Sequence, residues 1–406
     1  MKEKNISIAF LGALVPDTVE YRNVALRRSG NLVQDGVTCG LKDAGAEVEI
    51  FSVQPRASYP KDRKLYYKGT CIRYKGMPMH LVGFLNIVVL KTIWISIAEM
   101  LQIFKWALIK RHQNRVIMVY NTYTPPLPLV WLMGKLTRSK TFPILYDLGI
   151  PPKELNLGRL RMTIYGIVEF FSKVFIPMTD GRIVINEAIG EDYAHGKDYI
   201  IVDGGLSDDV LEKIETVKRA QEKRENCVTL FLGGLLSPIN GSRLIGELLE
   251  KNKRSDFKII VAGDGHDRKY IEQLAVRFPD RIVFLGMLSL DELFKVYNRC
   301  DVLMNLRILS PQDRYLFPSK VIEYMATGIP VITTNAGHIK EKYGKYCFVL
   351  NDHSVESLSD VIDKVISMPW LDLNAMGLSA KTYMMETHTW RAQSKKIYQY
   401  IKDTIC

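Results

Sequence analysis

The sequence predicts an α/β protein of two doubly wound, mostly parallel sheets, and three observations carry that expectation. Its 406 residues, 47% of them apolar or aromatic, suffice for two hydrophobic cores of ordinary size. From Val228 onward the runs VTLFLGG, FKIIVAGDG, RIVFLG, CDVLMN, IPVITTN and CFVLN alternate with segments of helical length, the pattern of a parallel sheet covered on both faces. The first half repeats this plan more loosely through NISIAFLG, AEVEIFSV, RVIMVYN, FPILYD, GRIVIN and YIIVDGG.

Taken in order, the chain begins with two lysines and about ten apolar residues, interrupted by Ser7 and Gly12, which read as a first strand rather than a secretion signal. Residues 61–76 interleave six cations with three tyrosines. The apolar stretch 81–110 carries Lys91, Glu99, Gln102 and Lys105, which argue against a simple membrane span. On a helical wheel those four fall in one narrow stripe beside a wide apolar face. Two readings stay open there: a buried helix next to a solvated basic loop, or a basic and apolar surface docked on an anionic bilayer. Residues 203–226 are polar and hold the interdomain connection. The domains expected are 1–205 and 206–385, with 206–226 as linker, followed by a C-terminal helix over 386–406.

In the second half, 268–278 and 289–298 show the three-to-four residue apolar spacing of amphipathic helices. Charge separates the halves. Residues 1–200 hold 27 Lys and Arg against 17 Asp and Glu, whereas residues 201–406 hold 28 against 27. The basic half is expected to meet an anionic partner. No nucleic-acid-binding module accompanies the charge, so nucleic acid is not that partner. Six cysteines without CxxC spacing fit a reducing compartment. No DxD follows an apolar strand and the seven histidines are dispersed, so a reaction without metal is expected.

Ligands of open parallel sheets bind beyond the carboxyl ends of the strands. Those ends are Gly12, Asn121, Asp147, Asn186 and Gly204 in the first half, and Gly233, Gly263, Gly286, Asn305 and Thr333 in the second. Two such edges facing each other would make a cleft. The stretch FPSKVIEYMATGIPVITTN, residues 317–335, contains a helix of about ten residues over 318–327, started at Pro318 and stopped by Gly328 and Pro330. Val321, Ile322 and Met325 would face a core, with Ser319, Lys320, Glu323 and Thr327 on the opposite side. Its N-terminal end favours a phosphate, and Lys320 adds a full charge. A solvent-exposed Lys320 and Glu323 pair is the plainer alternative.

FPSKVIEYMATGIPVI resembles the signature of the nucleotide-sugar glycosyltransferases of GT-B fold, family 4. VAGDGHDRKYIEQLA, RIVFLGMLSLDELFKVYNRCDVLMN and FLGGLLSPINGSRLI resemble the same family over roughly residues 228–390. The first half is similar more weakly, through TDGRIVINEAIGEDY and YIIVDGG. The resemblance implies two Rossmann-like domains, retention of anomeric configuration and a donor ribose held by Glu323. It further implies a donor site at Gly12, Gly233, Gly234, Gly263, Asp264, Gly265, Arg307, Leu316, Phe317 and Ser319, with the base at Gly286 and Met287.

Three positions depart from the family. Tyr315 stands where a glutamate contacts the donor sugar, and Gly234 and Asn240 replace the arginine and lysine that bind the diphosphate. Arg243, Arg307, Arg314 and Lys320 then become the cations for the diphosphate. Lys320 and Arg243 are the catalytic candidates, with Asp147 as a conceivable general base; His195 reads as a surface residue. The donor expected is a nucleotide sugar, UDP-linked foremost, with no further cofactor. The acceptor expected is a glycan, lipid-linked, met by a cytoplasmic protein at the inner face of the membrane in cell-surface polysaccharide synthesis. The alternatives are a GT-B subunit that binds an acceptor or a partner protein without transfer, and a nucleotide-sugar epimerase of related fold.

Overall fold

A computed structural model describes residues 5–18, 21, 28–122, 125–146, 159–217, 227–308 and 314–405. The chain divides into two compact units, Met1–Gly205 with Trp390–Cys406, and Leu206–Thr389.

The first unit opens with β1 (Ile6–Gly12), α1 (Arg28–Asp43), β2 (Glu47–Val53), β3 (Tyr66–Tyr67), β4 (Thr70–Tyr74), β5 (Met77–Val82) and β6 (Phe84–Leu85). It continues with α2 (Val88–Ile109), β7 (Asn114–Tyr120), α3 (Leu127–Thr137), β8 (Lys140–Leu145), α4 (Arg159–Phe175), β9 (Ile183–Val184), α5 (Glu187–Ala194) and β10 (Ile200–Ile201). Eight strands form one sheet in the order β10-β9-β8-β7-β1-β2-β5-β4. β1 is buried along its whole length because it pairs in parallel with β2 on one side and β7 on the other. The strand order reverses there, so the carboxyl ends of β1 and β7 flank the unit's switch point.

The basic stretch 61–76 is in good part sheet rather than loop. β4 runs antiparallel to β5 through Lys75 and Gly76, both at positive φ (47° and 82°), as a tight hairpin turn requires. Arg73 sits on this edge strand and Lys75 in its turn, where charge discourages pairing with another chain, while Lys61, Arg63 and Lys64 precede β3.

Helix α2 splits the expected polar stripe, with Lys105 exposed and Lys91 and Gln102 half-buried. Glu99, from the expected polar stripe, is fully buried, while Ile97, Leu101 and Phe104 face solvent. Lys91 helps to set this rotation: its ammonium donates to the Arg56 carbonyl at 2.6 Å and lies over the Phe84 ring. Ile95, Ile103 and Trp106 fill the inward side.

The second unit begins with α6 (Asp208–Ile214), in the segment expected as linker; residues 218–226 of that segment lie outside the described residues. There follow β11 (Val228–Leu235), α7 (Ser242–Lys251), β12 (Phe257–Asp264), α8 (Arg268–Arg277), β13 (Ile282–Phe284), α9 (Leu290–Tyr297) and β14 (Val302–Asn305). The unit ends with α10 (Ser319–Ala326), β15 (Val331–Thr333), α11 (Ile339–Tyr343), β16 (Phe348–Val349), α12 (Val355–Ser367) and α13 (Trp370–Thr387). Six parallel strands run in the order β13-β12-β11-β14-β15-β16. Near-continuous apolar strands such as Leu230, Leu232, Ile259 and Val261 are buried under helices that contribute Ile245, Leu248, Ile271 and Leu358. α9 starts with a capping box between Ser289 and Glu292, which satisfies two otherwise unpaired N–H groups.

The last helix, α14 (Trp390–Ile405), belongs to the first unit and packs along α1. Gly36 and Gly205 carry no side chain because the Trp390 ring occupies that space, and the Ser394 hydroxyl donates to the Gly36 carbonyl at 3.5 Å. Trp390→Ala is therefore expected to lower the unfolding free energy by about 3–5 kcal/mol. Urea denaturation checks this, and a loss below about 1 kcal/mol would mean that the tryptophan is no anchor.

Candidate functional site

In the second unit the strand order reverses between β11 and β14, so the carboxyl ends of these neighbours form the crevice of an open parallel sheet. β11 reaches it as Leu232, Gly233 and Gly234; β14 reaches it at Met304 and Asn305. Asn305 donates from its amide to the Thr333 hydroxyl at 3.2 Å, which ties β14 to β15 at this edge.

The helix that follows β14, after a connection partly outside the described residues, is α10. Pro318 is its N-cap rather than its first helical residue, and no side chain caps the end. Val321, Ile322, Tyr324 and Met325 are buried. Tyr324 meets Tyr297 edge to face at 5.9 Å, and Tyr297 meets Phe231 of β11 at 5.2 Å. This stack fixes the rotation of α10 and leaves Ser319, Lys320 and Glu323 on the less buried side. Thr327, expected on that side, is buried instead, and its hydroxyl donates to the Tyr324 carbonyl.

Lys320 reaches back to β11, where its ammonium donates to the Gly233 carbonyl at 2.7 Å. Gly234 makes this possible: it sits at φ 117°, and a Cβ there would collide with the ammonium. The carboxylate of Glu323, one turn further on, forms no hydrogen bond or ion pair within the described residues. Burial pushes the Lys320 ammonium below its ordinary value, with Glu323 opposing. Burial likewise raises the Glu323 carboxyl, against the attraction of Lys320. Both groups are thus partly desolvated without contact, and a hydrogen-bond donor beside the carboxylate would relieve that cost.

β12 lies beside β11 with Gly263 opposite Gly234. Gly263 is required by the fold itself, because at φ 137° a Cβ would strike the Gly234 carbonyl. Gly265 packs as tightly against the Leu236 backbone. Asp264 is exposed and accepts from the Gly265 N–H at 2.9 Å. Gly286 accepts from the Gly263 N–H at 2.7 Å, and Met287 beside it is exposed.

The remaining residues scatter around this centre. Phe317 is buried against Tyr343 and anchors the segment before α10. Leu316 and Arg314 are exposed, Tyr315 is half-buried beneath the Arg314 guanidinium, and Arg307 is half-buried. Arg243 is committed elsewhere: its guanidinium forms a bidentate pair with buried Asp267 at 2.7 and 3.2 Å and stacks on Tyr270. Asn240 donates to the Leu235 carbonyl and the Ser237 hydroxyl. In the first unit, the space a side chain at Gly12 would fill is taken by Gln34, which accepts from the Ala13 N–H at 2.8 Å. Asp147 lies outside the described residues. Neither the carbonyl of Gly233 as a partner for Lys320 nor the role of Gln34 was legible from residue types, since both depend on backbone position. Among the described residues no three His, Cys, Asp or Glu side chains gather as a metal-holding group.

Glu323 sets a pH dependence. Its raised folded value means that the fold favours the protonated carboxyl, so its contribution to stability is greatest below the ordinary value of 4.5 and declines as pH rises through the folded value. Glu323→Gln is expected to gain stability relative to the parent between pH 4.5 and neutrality. Parallel urea titrations at the two ends check this; equal differences at both would contradict the assigned burial.

Comparison with known proteins agrees with this geometry. Residues 226–368 match the family model described as Glycosyl transferases group 1. An uncharacterized glycosyltransferase of Methanocaldococcus jannaschii is 26% identical over 195 residues, 47% of this chain and 48% of that protein. A sulfoquinovosyl transferase of Arabidopsis thaliana is 30% identical over 160 residues, 37% and 29% of the two chains. The chain thus spans about half or less of the length of these curated relatives. The solved structure of Anabaena HepE in complex with UDP aligns over 98% of this chain and 100% of its own with a TM-score of 0.60, at 15% identity. The fold is that of the GT-B glycosyltransferases, and the group 1 similarity falls on the unit that holds Lys320 and Glu323.

Proposed function

We propose that the chain transfers a glycosyl group from a nucleotide sugar to a glycan acceptor. The observation that carries this reading is the arrangement at the β11 and β14 switch point, where Lys320 is clamped to the Gly233 carbonyl and the Glu323 carboxylate, one turn on, has no hydrogen-bond or ion-pair partner among the described residues. It lies in the segment that matches group 1 glycosyltransferases. Glu323 would accept from the ribose hydroxyls. Lys320 and the uncapped start of α10 would face the diphosphate, which gains negative charge as the sugar departs, and fixed positive groups aimed at developing charge lower a barrier most.

The finer reading is a UDP-sugar donor, retention of configuration, no resident metal and a lipid-linked acceptor at the cytoplasmic face of a membrane, in polysaccharide synthesis. HepE binding UDP supports the base, and the likeness of FPSKVIEYMATGIPVI to family 4 supports retention. Mass spectrometry of products from a panel of nucleotide sugars, with a membrane extract as acceptor, tests the reaction. A glycosylated lipid product from one donor is expected; no product from any donor would overturn it.

The second reading, a binding subunit without transfer, draws on Tyr315, Gly234 and Asn240 and on the commitment of Arg243 to Asp267. A thermal-shift panel separates the two, because a donor at 100 times its dissociation constant stabilises by about 2.7 kcal/mol. Glu323→Ala is expected to weaken donor binding by about 1–3 kcal/mol, the usual worth of hydrogen bonds to a charged group. Calorimetric titration reads this directly, and unchanged affinity would remove the ribose role.

A further inference from the structure

In the first unit α2 packs against α3 and α3 against α4, and many outward residues of this row are apolar, interspersed with the exposed Lys105, Lys135 and Lys173. Ile97, Leu101, Phe104, Leu136, Ile167 and Phe170 are between 44% and 66% exposed. The polar residue Glu99 points inward instead and is wholly buried. α2 contains a stretch long and apolar enough to cross a membrane, Leu90–Ile109, yet it is fastened to the sheet through Ile95, Ile103 and Trp106. A helix so held can present only one side to lipid.

Charge identifies what covers that side. Between residues 51 and 146, the stretch that builds α2 and α3, stand 15 Lys and Arg and two acids, Asp62 and Glu99. With Glu99 buried, the described acids near the row are Asp62, Glu47, Glu169 of α4 and Asp180 beside the α3 hollow, and the last three are each ion-paired, to Lys110, Lys173 and Lys140. Cations occur at both ends of the row. Lys61, Arg63 and Lys64 adjoin the exposed Leu65 and Tyr66, and β3, which begins there, pairs with β6 just before α2. Arg111 follows the other end of α2, while Lys135 and Arg138 line a hollow with Trp131 at the end of α3. A protein partner would ordinarily meet mixed charge around an apolar centre. An apolar face flanked by an excess of cations, with most of its nearby acids held in ion pairs, is complementary to anionic headgroups over acyl chains.

We infer that the outer face of α2, α3 and α4 seats this unit on an anionic phospholipid bilayer, with the three helices lying in the interfacial plane. The apolar side chains enter the headgroup and acyl boundary, and the cations at the row's ends meet lipid phosphates. The inference stands independently of the transfer reaction.

Flotation of the full chain with vesicles of phosphatidylcholine alone, or with roughly one-third phosphatidylglycerol, tests it. Binding to the anionic vesicles is expected, weakening as salt rises. Leu101→Glu, Phe104→Glu and Phe170→Glu combined should reduce the bound fraction about tenfold or more. The three residues are exposed, so the melting temperature and the affinity for UDP should stay unchanged. Lys135→Glu with Arg138→Glu should weaken binding to anionic vesicles without affecting the fold. Absent or salt-independent binding, or equal binding by the apolar triple variant, would overturn the inference. So would a dimer in solution that the triple variant dissociates, which would assign the face to a second copy of the chain.

Discussion

The hydrogen bond from Lys320 to the Gly233 carbonyl is the interaction on which the arrangement of the second unit's crevice depends. It exists because β11 and β14 are neighbours at the strand-order reversal, which brings a helix entered after β14 within reach of the end of β11. It also needs a glycine at 234, since any Cβ would occupy the ammonium's position. Phe231, Tyr297 and Tyr324 complete the constraint from beneath by fixing which side of α10 is buried. Backbone, glycine and aromatic stack together present a cation and a carboxylate one helical turn apart. Each attracts the other, but no ion pair joins them. Burial works against both, and that leaves them suited to a ligand that offers anionic oxygens to one and hydroxyl donors to the other.

The two units divide the physical problem. The second is nearly balanced in charge, and its crevice is shaped by close backbone approach, as at Gly263 and Gly234. The first carries the basic excess and, on α2, a rotation that hides a carboxylate and displays leucine, isoleucine and phenylalanine. Hydrophobic burial would ordinarily drive the opposite rotation. Ile95, Ile103 and Trp106 satisfy the sheet with part of the apolar set, so the helix is apolar enough to supply both sides. The end of β1 shows a third solution, in which the side chain of Gln34, rather than open space, occupies the room left by Gly12.

Much of this was legible in the sequence because strands buried on both faces are written as continuous apolar runs. The six runs after Val228 all became strands of one parallel sheet, and the helix over 318–327 was found within a residue or two at each end, from Pro318, Gly328 and its apolar spacing. The hairpin at 70–82 was not legible, since alternating cations and tyrosines on a solvated edge strand resemble a charged loop. The rotation of α2 was undecided because periodicity gives a stripe but not its direction. Contacts from distant residues, Arg56 and Phe84 on Lys91, helped to decide it. For the site, residue types singled out Lys320 and Glu323. The commitment of Arg243 to Asp267, 24 positions away, required coordinates.

The most direct test is a crystal structure of the chain with a bound UDP-sugar. Both Glu323 carboxylate oxygens, or one of them accepting two hydrogen bonds, are expected within about 3.2 Å of the ribose hydroxyls, with the Lys320 ammonium beside the diphosphate at the β11 and β14 crevice. A nucleotide bound elsewhere, with Glu323 left without a partner, would contradict it.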